Sequence, residues 1–252
     1  MNHLPSWVNP EFDQFADEYE RALERGISVS GETMDFFAKG RVSWLARCLT
    51  NLAFQPMHIL DFGCGTGGAT SFLLRLPYAK SVCGVDVSPR SLVRARKLHD
   101  SDRTQFLLCE EMTLDGSKDL AFSNGVFHHI PADERAGAVA FVWRTLRPGG
   151  LFALWENNPW NPGTRYVMSR IPFDRDAITL SVLEASRLLQ SGGFEVLRTD
   201  FLFVFPHALR WFRGLEPALS SLPLGAQYQV LARKVCPPFK EEIGCHSIRR
   251  PL

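Results

Sequence analysis

The chain has 252 residues, of which 45% are hydrophobic and 22% charged, a composition that suits one α/β domain with a sizeable core and excludes global disorder. Its 28 lysines and arginines nearly balance its 27 aspartates and glutamates, and a net charge of +1 counts against a dedicated nucleic-acid binder. The longest apolar run, residues 136–143, is far below the roughly 18 residues that a membrane span needs.

The cysteine pattern and the N-terminal pattern both favour a reducing compartment. Six cysteines form no CxxC pair, which is typical of free thiols rather than of a disulfide framework or a zinc site. Acidic residues from Glu11 to Glu18 stand where an export signal would need a basic start and an apolar core. We therefore expect a cytoplasmic protein with no stable membrane insertion and no bound metal.

Two helices are predicted at the start of the chain. Apolar residues recur at helical spacing in the first of them, with Phe12, Ala16 and Tyr19 on one face. The second is predicted over residues 32–49, and Arg41 stands in the middle of its apolar stripe. On this pattern alone, the arginine is equally well explained by a guanidinium that extends out to water.

After residue 56 the pattern changes to short β-type runs separated by helical ones, which predicts a parallel sheet covered by helices on both faces. The last two strands follow each other without a regular crossover helix, so we expect the last strand to run antiparallel. Periodicity stops at residue 236, which predicts a poorly ordered tail over 236–252. The predicted strands are 58–62, 81–87, 105–109, 120–124, 151–155, 196–203 and 227–232, and the predicted helices between them are 68–74, 89–98, 132–146 and 182–190.

A glycine-rich loop follows the first predicted strand and precedes a helix. Gly63, Gly65 and Gly68 satisfy the GxGxxG pattern, whose glycines permit a tight turn and bring backbone amides close to a ligand. Asp86 follows at about the distance expected of a ribose-binding acid. A carboxylate there suits NAD and adenosyl cofactors equally well, so this signal alone leaves the cofactor open.

Four motifs in order decide between these cofactors, because together they resemble a class I S-adenosylmethionine-dependent methyltransferase. The resemblance spans about residues 11–233. It implies a Rossmann-like doubly wound α/β fold, with a mostly parallel seven-stranded sheet, an antiparallel last strand and an N-terminal helical cover. The motifs are ILDFGCGTGG at 59–68, GVDVS at 84–88, FSNGVFHHI at 122–130 and LRPGG at 146–150.

The resemblance also implies roles for individual residues around S-adenosylmethionine. It places the loop glycines beside the amino acid part of the cofactor, Asp86 on the ribose and Val87 on the adenine. Glu111 and Met112 resemble the pair that flanks the adenine ring, although the family usually has Asp there and Glu110 fits as well. The full expected cofactor set is Tyr19, Arg41, Asp61, Gly63, Cys64, Gly65, Asp86, Val87, Glu111, Met112 and Asn124.

The N-terminal helices resemble the cover that similar small-molecule methyltransferases fold over the cofactor. Tyr19 belongs to an F-x-x-x-A-x-x-Y pattern of that cover, although an aromatic core residue explains it equally well. Arg41 fits the basic residue that meets the cofactor carboxylate, because a planar guanidinium matches a carboxylate with two parallel hydrogen bonds.

Two histidines, His128 and His129, follow the fourth strand at its carboxyl edge, where doubly wound folds bind their ligands. An unperturbed imidazole titrates near pH 6.5, so either could act as a general base toward a hydroxyl or an amine. His129 is the stronger candidate of the two. The alternative is that the pair only braces its loop by hydrogen bonding.

Two insertions, residues 160–179 and 206–225, face the same edge and are expected to build the acceptor pocket and its lid. Candidate substrate contacts are Asn157, Asn158, Trp160 and Trp211, although the asparagines could equally hold their own turn. The basic and aromatic stretch 210–213 fits a lid helix better than contact with a membrane surface.

These observations predict a methyltransferase domain over 1–235, with a helical cover at 1–50 and a core at 56–235. We expect methyl transfer from S-adenosylmethionine to an oxygen, nitrogen or carbon of a small, apolar or aromatic acceptor. Nucleic acid is not expected as a partner, and the oligomeric state stays open. The alternatives are an RNA or protein methyltransferase and a silent adenosyl-binding protein.

Overall fold

Seven strands form a single sheet in the computed structural model, which describes residues 19–174 and 177–235. They are β1 (His58–Phe62), β2 (Ser81–Asp86), β3 (Thr104–Leu108), β4 (Lys118–Asn124), β5 (Leu146–Asn157), β6 (Phe194–Leu202) and β7 (Gln227–Lys234). Their spatial order is β3-β2-β1-β4-β5-β7-β6. The pairs from β3 to β5 are parallel, and β7 runs antiparallel to both of its neighbours. The predicted doubly wound sheet with an antiparallel last strand is therefore confirmed.

The helices cover both faces of this sheet. They are α1 (Tyr19–Ile27), α2 (Met34–Asn51), α3 (Thr70–Leu73), α4 (Pro89–His99), α5 (Arg135–Thr145), α6 (Pro162–Arg170), α7 (Val182–Ser191) and α8 (Glu216–Leu219). Short 3₁₀ helices stand at Ser28–Ser30, Cys109–Glu111, Phe127–His129, Pro172–Asp174 and His207–Leu215. None of the helices in these described ranges is long and apolar enough to cross a membrane.

Local signals set several helix starts. Thr33 caps α2 by accepting from the Phe36 amide at 3.2 Å, and Ser88 caps α4 ahead of Pro89. The capping box of Ser181 and Glu184 starts α7 where the sequence predicts it.

The core lies in two apolar clusters, one on each face of the sheet. Alternate residues of β5 divide between them, with Phe152 and Leu154 on the face covered by α5 and α7. Leu151, Ala153 and Trp155 lie on the face that α2 covers. This alternation follows from the period of two along a strand.

The parallel register brings four strand ends to one edge of the sheet. Phe62 pairs with Val85, and Asn124 pairs with Trp155, so the residues that follow β1, β2, β4 and β5 are neighbours. The candidate site occupies this edge, as expected for a doubly wound fold.

The structure differs from the sequence prediction in several segments. Strand β5 begins at Leu146 rather than at residue 151, and α5 covers Arg135–Thr145 rather than 132–146. Helix α3 begins at Thr70 rather than at residue 68, because the preceding glycine turn occupies the first predicted turn of helix. Helix α6 lies in an insertion for which no helix was predicted, whereas the lid helix expected at 210–213 is part of the 3₁₀ helix His207–Leu215, which contains no buried residue. The part of the first predicted helix before Tyr19 and the predicted tail 236–252 lie outside the described residues.

Candidate active site

The glycine loop is held against the end of β2. The amides of Gly63 and Cys64 both donate to the Val85 carbonyl, at 2.8 and 3.0 Å. Gly63 has a φ of +70°, and a Cβ there would lie 2.3 Å from Val126, so no other residue fits. At Gly65 and Gly68 an added Cβ would meet nothing within 4 Å, which leaves their backbone open to a ligand.

Asp86 ties the loop to the start of α4. Its Oδ2 accepts from the Gly65 amide at 2.8 Å and its Oδ1 accepts from the Ser88 amide at 2.9 Å. The neighbouring Cys64 is buried, and burial with the nearby Asp86 charge raises the pKa of its thiol. Cys64 is therefore a neutral packing residue rather than a nucleophile.

Asp61 is buried two residues before the loop, and its Oδ2 has no hydrogen-bond partner. Burial and the nearby Asp86 carboxylate raise the pKa of Asp61 to about 7, although the charge of Arg41 opposes this shift. The structure thus holds a buried carboxylate that a cation would stabilise.

Arg41 is buried on α2 and reaches the start of β7. Its Nη1 donates to Gln227 Oε1 at 2.9 Å, and Gln227 Nε2 donates to Asn157 Oδ1 at 3.2 Å. Sequence reasoning missed Gln227. Its only signal is its position at the start of the last strand, where it pairs in register with Asn157.

The two histidines occupy different environments. His128 is buried, its Nδ1 lies 2.6 Å from Glu156 Oε2, and Glu156 Oε1 accepts from the Phe127 amide at 2.8 Å. Burial alone would lower the pKa of His128, but the charges of Glu156 and Asp174 outweigh it and raise the pKa to about 10. The raised pKa favours the protonated form of His128 beside Glu156.

His129 lies nearer the surface, with its Nε2 at 3.3 Å from Asp174 Oδ1. Burial lowers the pKa of His129, and Asp174 offsets this only in part, so its imidazole is neutral at pH 7. Burial would raise the pKa of Asp174, but the two histidines hold it at about 2. Sequence reasoning missed both Glu156 and Asp174.

His128, His129 and Asp174 each offer one ligand atom within 4.8 Å of the others, close enough for a metal ion. The charges and hydrogen bonds among these three residues explain their spacing without a metal ion. The expectation that no metal is used stays a prediction.

A cavity of about 370 Å³ adjoins these residues. Both insertions contribute to it, and Asn124, Gly125 and Arg41 line the part nearest the sheet edge. Most of its other lining side chains are apolar or aromatic, namely Leu23, Ile27, Val29, Met34, Phe36, Phe37, Tyr166, Val167, Met168, Ile171, Phe203, Val204 and Phe205.

Of the four candidate substrate residues, only Asn157 lines the cavity. Asn158 is buried in its turn and donates to the Pro223 and Gly225 carbonyls. Trp160 stacks on Phe201 and Trp211 is largely exposed, and neither lines the cavity.

The residues expected near the adenine also differ in their surroundings. Val87 and Met112 are half-buried against the core, whereas Glu111 caps its 3₁₀ helix by accepting from the Leu108 amide at 2.8 Å. Glu110 lies in the same short helix. Tyr19 begins α1, but its side chain lies outside the part of the chain that the structure describes.

Comparison with known proteins agrees with this geometry. Residues 59–150 match the family described as "Methyltransferase domain". An uncharacterized methyltransferase of Synechocystis sp. is 35% identical over 158 residues, covering 60% of this chain and 73% of the relative. A trans-aconitate 2-methyltransferase of Methylobacterium nodulans is 29% identical over 205 residues, covering 71% of this chain and 76% of the relative.

Solved structures show the same fold. A Thermotoga maritima S-adenosylmethionine-dependent methyltransferase, described as a possible histamine N-methyltransferase, superposes with a TM-score of 0.62. It is 22% identical, and the match covers 88% of this chain and 97% of that one. A Haloferax volcanii methyltransferase, solved with its Trm112 activator, gives a TM-score of 0.58 at 20% identity, covering 90% of this chain and 99% of that one.

Fold and site together define a methyltransferase built on a Rossmann-like sheet. The chain belongs to the class I S-adenosylmethionine-dependent methyltransferases, and S-adenosylmethionine is its cofactor.

Proposed function

We propose that this methyltransferase acts on a small acceptor with an apolar or aromatic body, which binds in the 370 Å³ cavity and is methylated on oxygen, nitrogen or carbon. The observation that carries this proposal is the lining of the cavity, which is mostly apolar, with polar side chains that include Asn124 and Arg41 and, from other elements, Glu32 and Arg213. Its volume is in the range of small-molecule sites. The relatives named for trans-aconitate and for a sterol support a small acceptor.

The residues at the sheet edge fit S-adenosylmethionine. The space where a Gly65 side chain would stand is empty, and two buried oxygens, Asp61 Oδ2 and Asn124 Oδ1, have no hydrogen-bond partner among the described residues. A ligand that carries an ammonium group would supply donors to such oxygens. We assign Asp61, the loop residues 63–65 and Asn124 to the amino acid end of the cofactor.

The remaining assignments follow the family resemblance and, for Arg41, the charge of its partner on the cofactor. Arg41 is proposed to bind the cofactor carboxylate and Asp86 the ribose hydroxyls. Val87, Glu111 and Met112 are proposed to flank the adenine, and Tyr19 to cover the cofactor. When bound, S-adenosylmethionine would supply an electrophilic methyl group on its sulfonium, with S-adenosylhomocysteine as the leaving group.

His129 is proposed as the general base, because a neutral imidazole beside the cavity can take a proton from a hydroxyl or an amine. The carboxylate of Asp174 favours the proton on Nε2, so Nδ1 is the nitrogen that accepts. His128 is proposed as a positioning residue, because its pKa of about 10 keeps it protonated at pH 7.

The experiment is a methyl-transfer panel of phenols, quinones, amines and bulk tRNA, assayed with the parent chain and with Val167→Trp. Val167 lines the cavity, so an indole there should fill it and abolish transfer to small acceptors while calorimetry still detects S-adenosylhomocysteine. Leu183→Trp, on an exposed position of α7, is the control. Unchanged transfer in Val167→Trp, or tRNA as the best acceptor, would refute the proposal.

A further inference from the structure

One part of the molecule exposes several large apolar side chains, although the ring of Phe212 packs on that of Phe205. Neither the 3₁₀ helix His207–Leu215 nor α8 contains a buried residue. Six side chains in this part of the chain are between 41% and 67% exposed, and together they form what we call the apolar rim. They are Leu209, Trp211, Phe212, Leu215, Leu222 and Leu224.

The apolar rim is bonded to the turn that follows β5. Asn158 Nδ2 donates to the Pro223 carbonyl at 3.1 Å, and Asn161 Nδ2 donates to the Leu224 carbonyl at 2.7 Å. This turn and α6 carry two further aromatic residues, Trp160 and Tyr166, each about half exposed. Trp160 and Tyr166 therefore lie on segments that are hydrogen-bonded to the rim.

The same elements line the cavity. Phe205, Pro206 and Arg213 contribute to it from the rim side, and Asn161 and Tyr166 contribute from the α6 side. Tyr166 is both exposed and cavity-lining, so the apolar surface lies beside the opening of the cavity.

Positive charges accompany this surface, although the whole chain has a net charge of only +1. Arg165 and Arg170 are exposed on α6, and Arg210 is exposed in the rim. The described partners of Arg170 and Arg210 are the Tyr166 hydroxyl and the His207 ring rather than carboxylates. Two acids of the described part of the chain face this region. Glu32 accepts from Arg213 at 2.6 Å and lies 2.9 Å from His207 Nδ1, and Glu216 accepts from the Phe205 amide.

We propose that the apolar rim docks on an anionic phospholipid bilayer and that the acceptor reaches the cavity from that bilayer. Exposed Trp, Phe and Leu side chains beside arginines are the composition that binds a membrane interface. A second copy of the chain is disfavoured, because a symmetric contact through this face would bring like charges together. This inference rests on the proposed function, since only an apolar acceptor gains from such a route.

The test is flotation with vesicles of phosphatidylglycerol and phosphatidylcholine, compared with vesicles of phosphatidylcholine alone. The chain should float with the anionic vesicles, and raising the salt should weaken binding because the arginines contribute electrostatically. Leu215→Glu should lower vesicle binding at least fivefold while calorimetry with S-adenosylhomocysteine is unchanged. Leu183→Glu is the matched control, because Leu183 is 57% exposed and Leu215 is 53% exposed.

Absence of binding to the anionic vesicles, or an equal loss in both variants, would overturn the proposal. If light scattering shows a dimer that Leu215→Glu abolishes, the rim binds a second copy of the chain instead of a bilayer. Cross-links between the rim and residues 1–18 would assign it to the chain itself. The outcomes separate this proposal from the proposed function. Methylation of small aromatic acceptors without vesicle binding would support the proposed function alone. Vesicle binding with tRNA as the best acceptor would refute the proposed function.

Discussion

Replacing Asp86 should lower the affinity for the cofactor most directly. A hydrogen bond to a charged group contributes about 1.5–3 kcal/mol, so Asp86→Ala should weaken S-adenosylhomocysteine binding at least tenfold. The variant also releases the amides of Gly65 and Ser88, which acts in the same direction. Calorimetry would measure the loss, with the exposed Asp133→Ala as control. Equal affinity for Asp86→Ala and the parent chain would contradict the assignment.

Asp61 gives a pH-dependent signature of cofactor binding. With a pKa of about 7, it is half protonated in the free enzyme at pH 7, and an arriving ammonium group should lower that pKa. Binding of S-adenosylhomocysteine should therefore release about half a proton at pH 7, and affinity should rise with pH from 6 to 8. Calorimetry in buffers of different ionisation enthalpy measures this release. Asp61→Asn should abolish it, and proton uptake by the parent chain would show that the sign is wrong.

Replacing His129 and replacing Arg41 should change the steady-state kinetics in different ways. Arg41→Ala removes a cofactor contact, so the KM for the cofactor should rise with kcat little changed at saturation. His129→Ala should lower kcat about 10²–10⁴-fold with cofactor binding intact, and the loss should shrink at high pH as the acceptor ionises unaided. Steady-state kinetics across pH separates these cases. A pH-independent defect in His129→Ala together with a lower Tm would instead identify a second loop brace.

The loop after β4 contains a buried ion pair between His128 and Glu156. Glu156 faces both His128 and the Phe127 amide, and removing one partner of a buried pair typically costs about 3–5 kcal/mol. Glu156→Gln should therefore lower the free energy of unfolding by several kcal/mol, measured by urea denaturation. Glu195→Gln, at an exposed position of β6, is the control. Equal midpoints for the two variants would show that this pair does not hold the loop.

The elements also show how far sequence reasoning reaches. The glycine loop, the strand ends and the capping box of α7 depend on neighbours in sequence, and these were predicted. Helix α6 was missed although its start was readable, because Asn161 caps it and Pro162 follows at its first position.

The missed site residues depend on contacts between distant parts of the chain. Gln227 meets Arg41 across 186 residues, and Glu156 meets His128 across 28. Asp174 reaches the two histidines from a separate insertion. No local pattern encodes such pairs, so they become visible only once the sheet is assembled.

At the scale of the whole molecule, the cofactor residues and the cavity meet along one edge of the sheet. Asn124 and Arg41, which are proposed cofactor residues, also line the cavity, so an acceptor bound there would lie beside the reacting end of the cofactor. Positioning two bound reactants can contribute about 7–11 kcal/mol to catalysis, more than a single general base supplies. The rate of methyl transfer should therefore depend on the position of the bound acceptor more than on any one side chain.

A crystal structure of the complex with S-adenosylhomocysteine and the best small acceptor from the methyl-transfer panel tests this claim most directly. We expect the acceptor in the 370 Å³ cavity between the two insertions, with its reacting atom facing Asn124 and His129. An acceptor bound elsewhere on the molecule, with this cavity left to solvent, would contradict it.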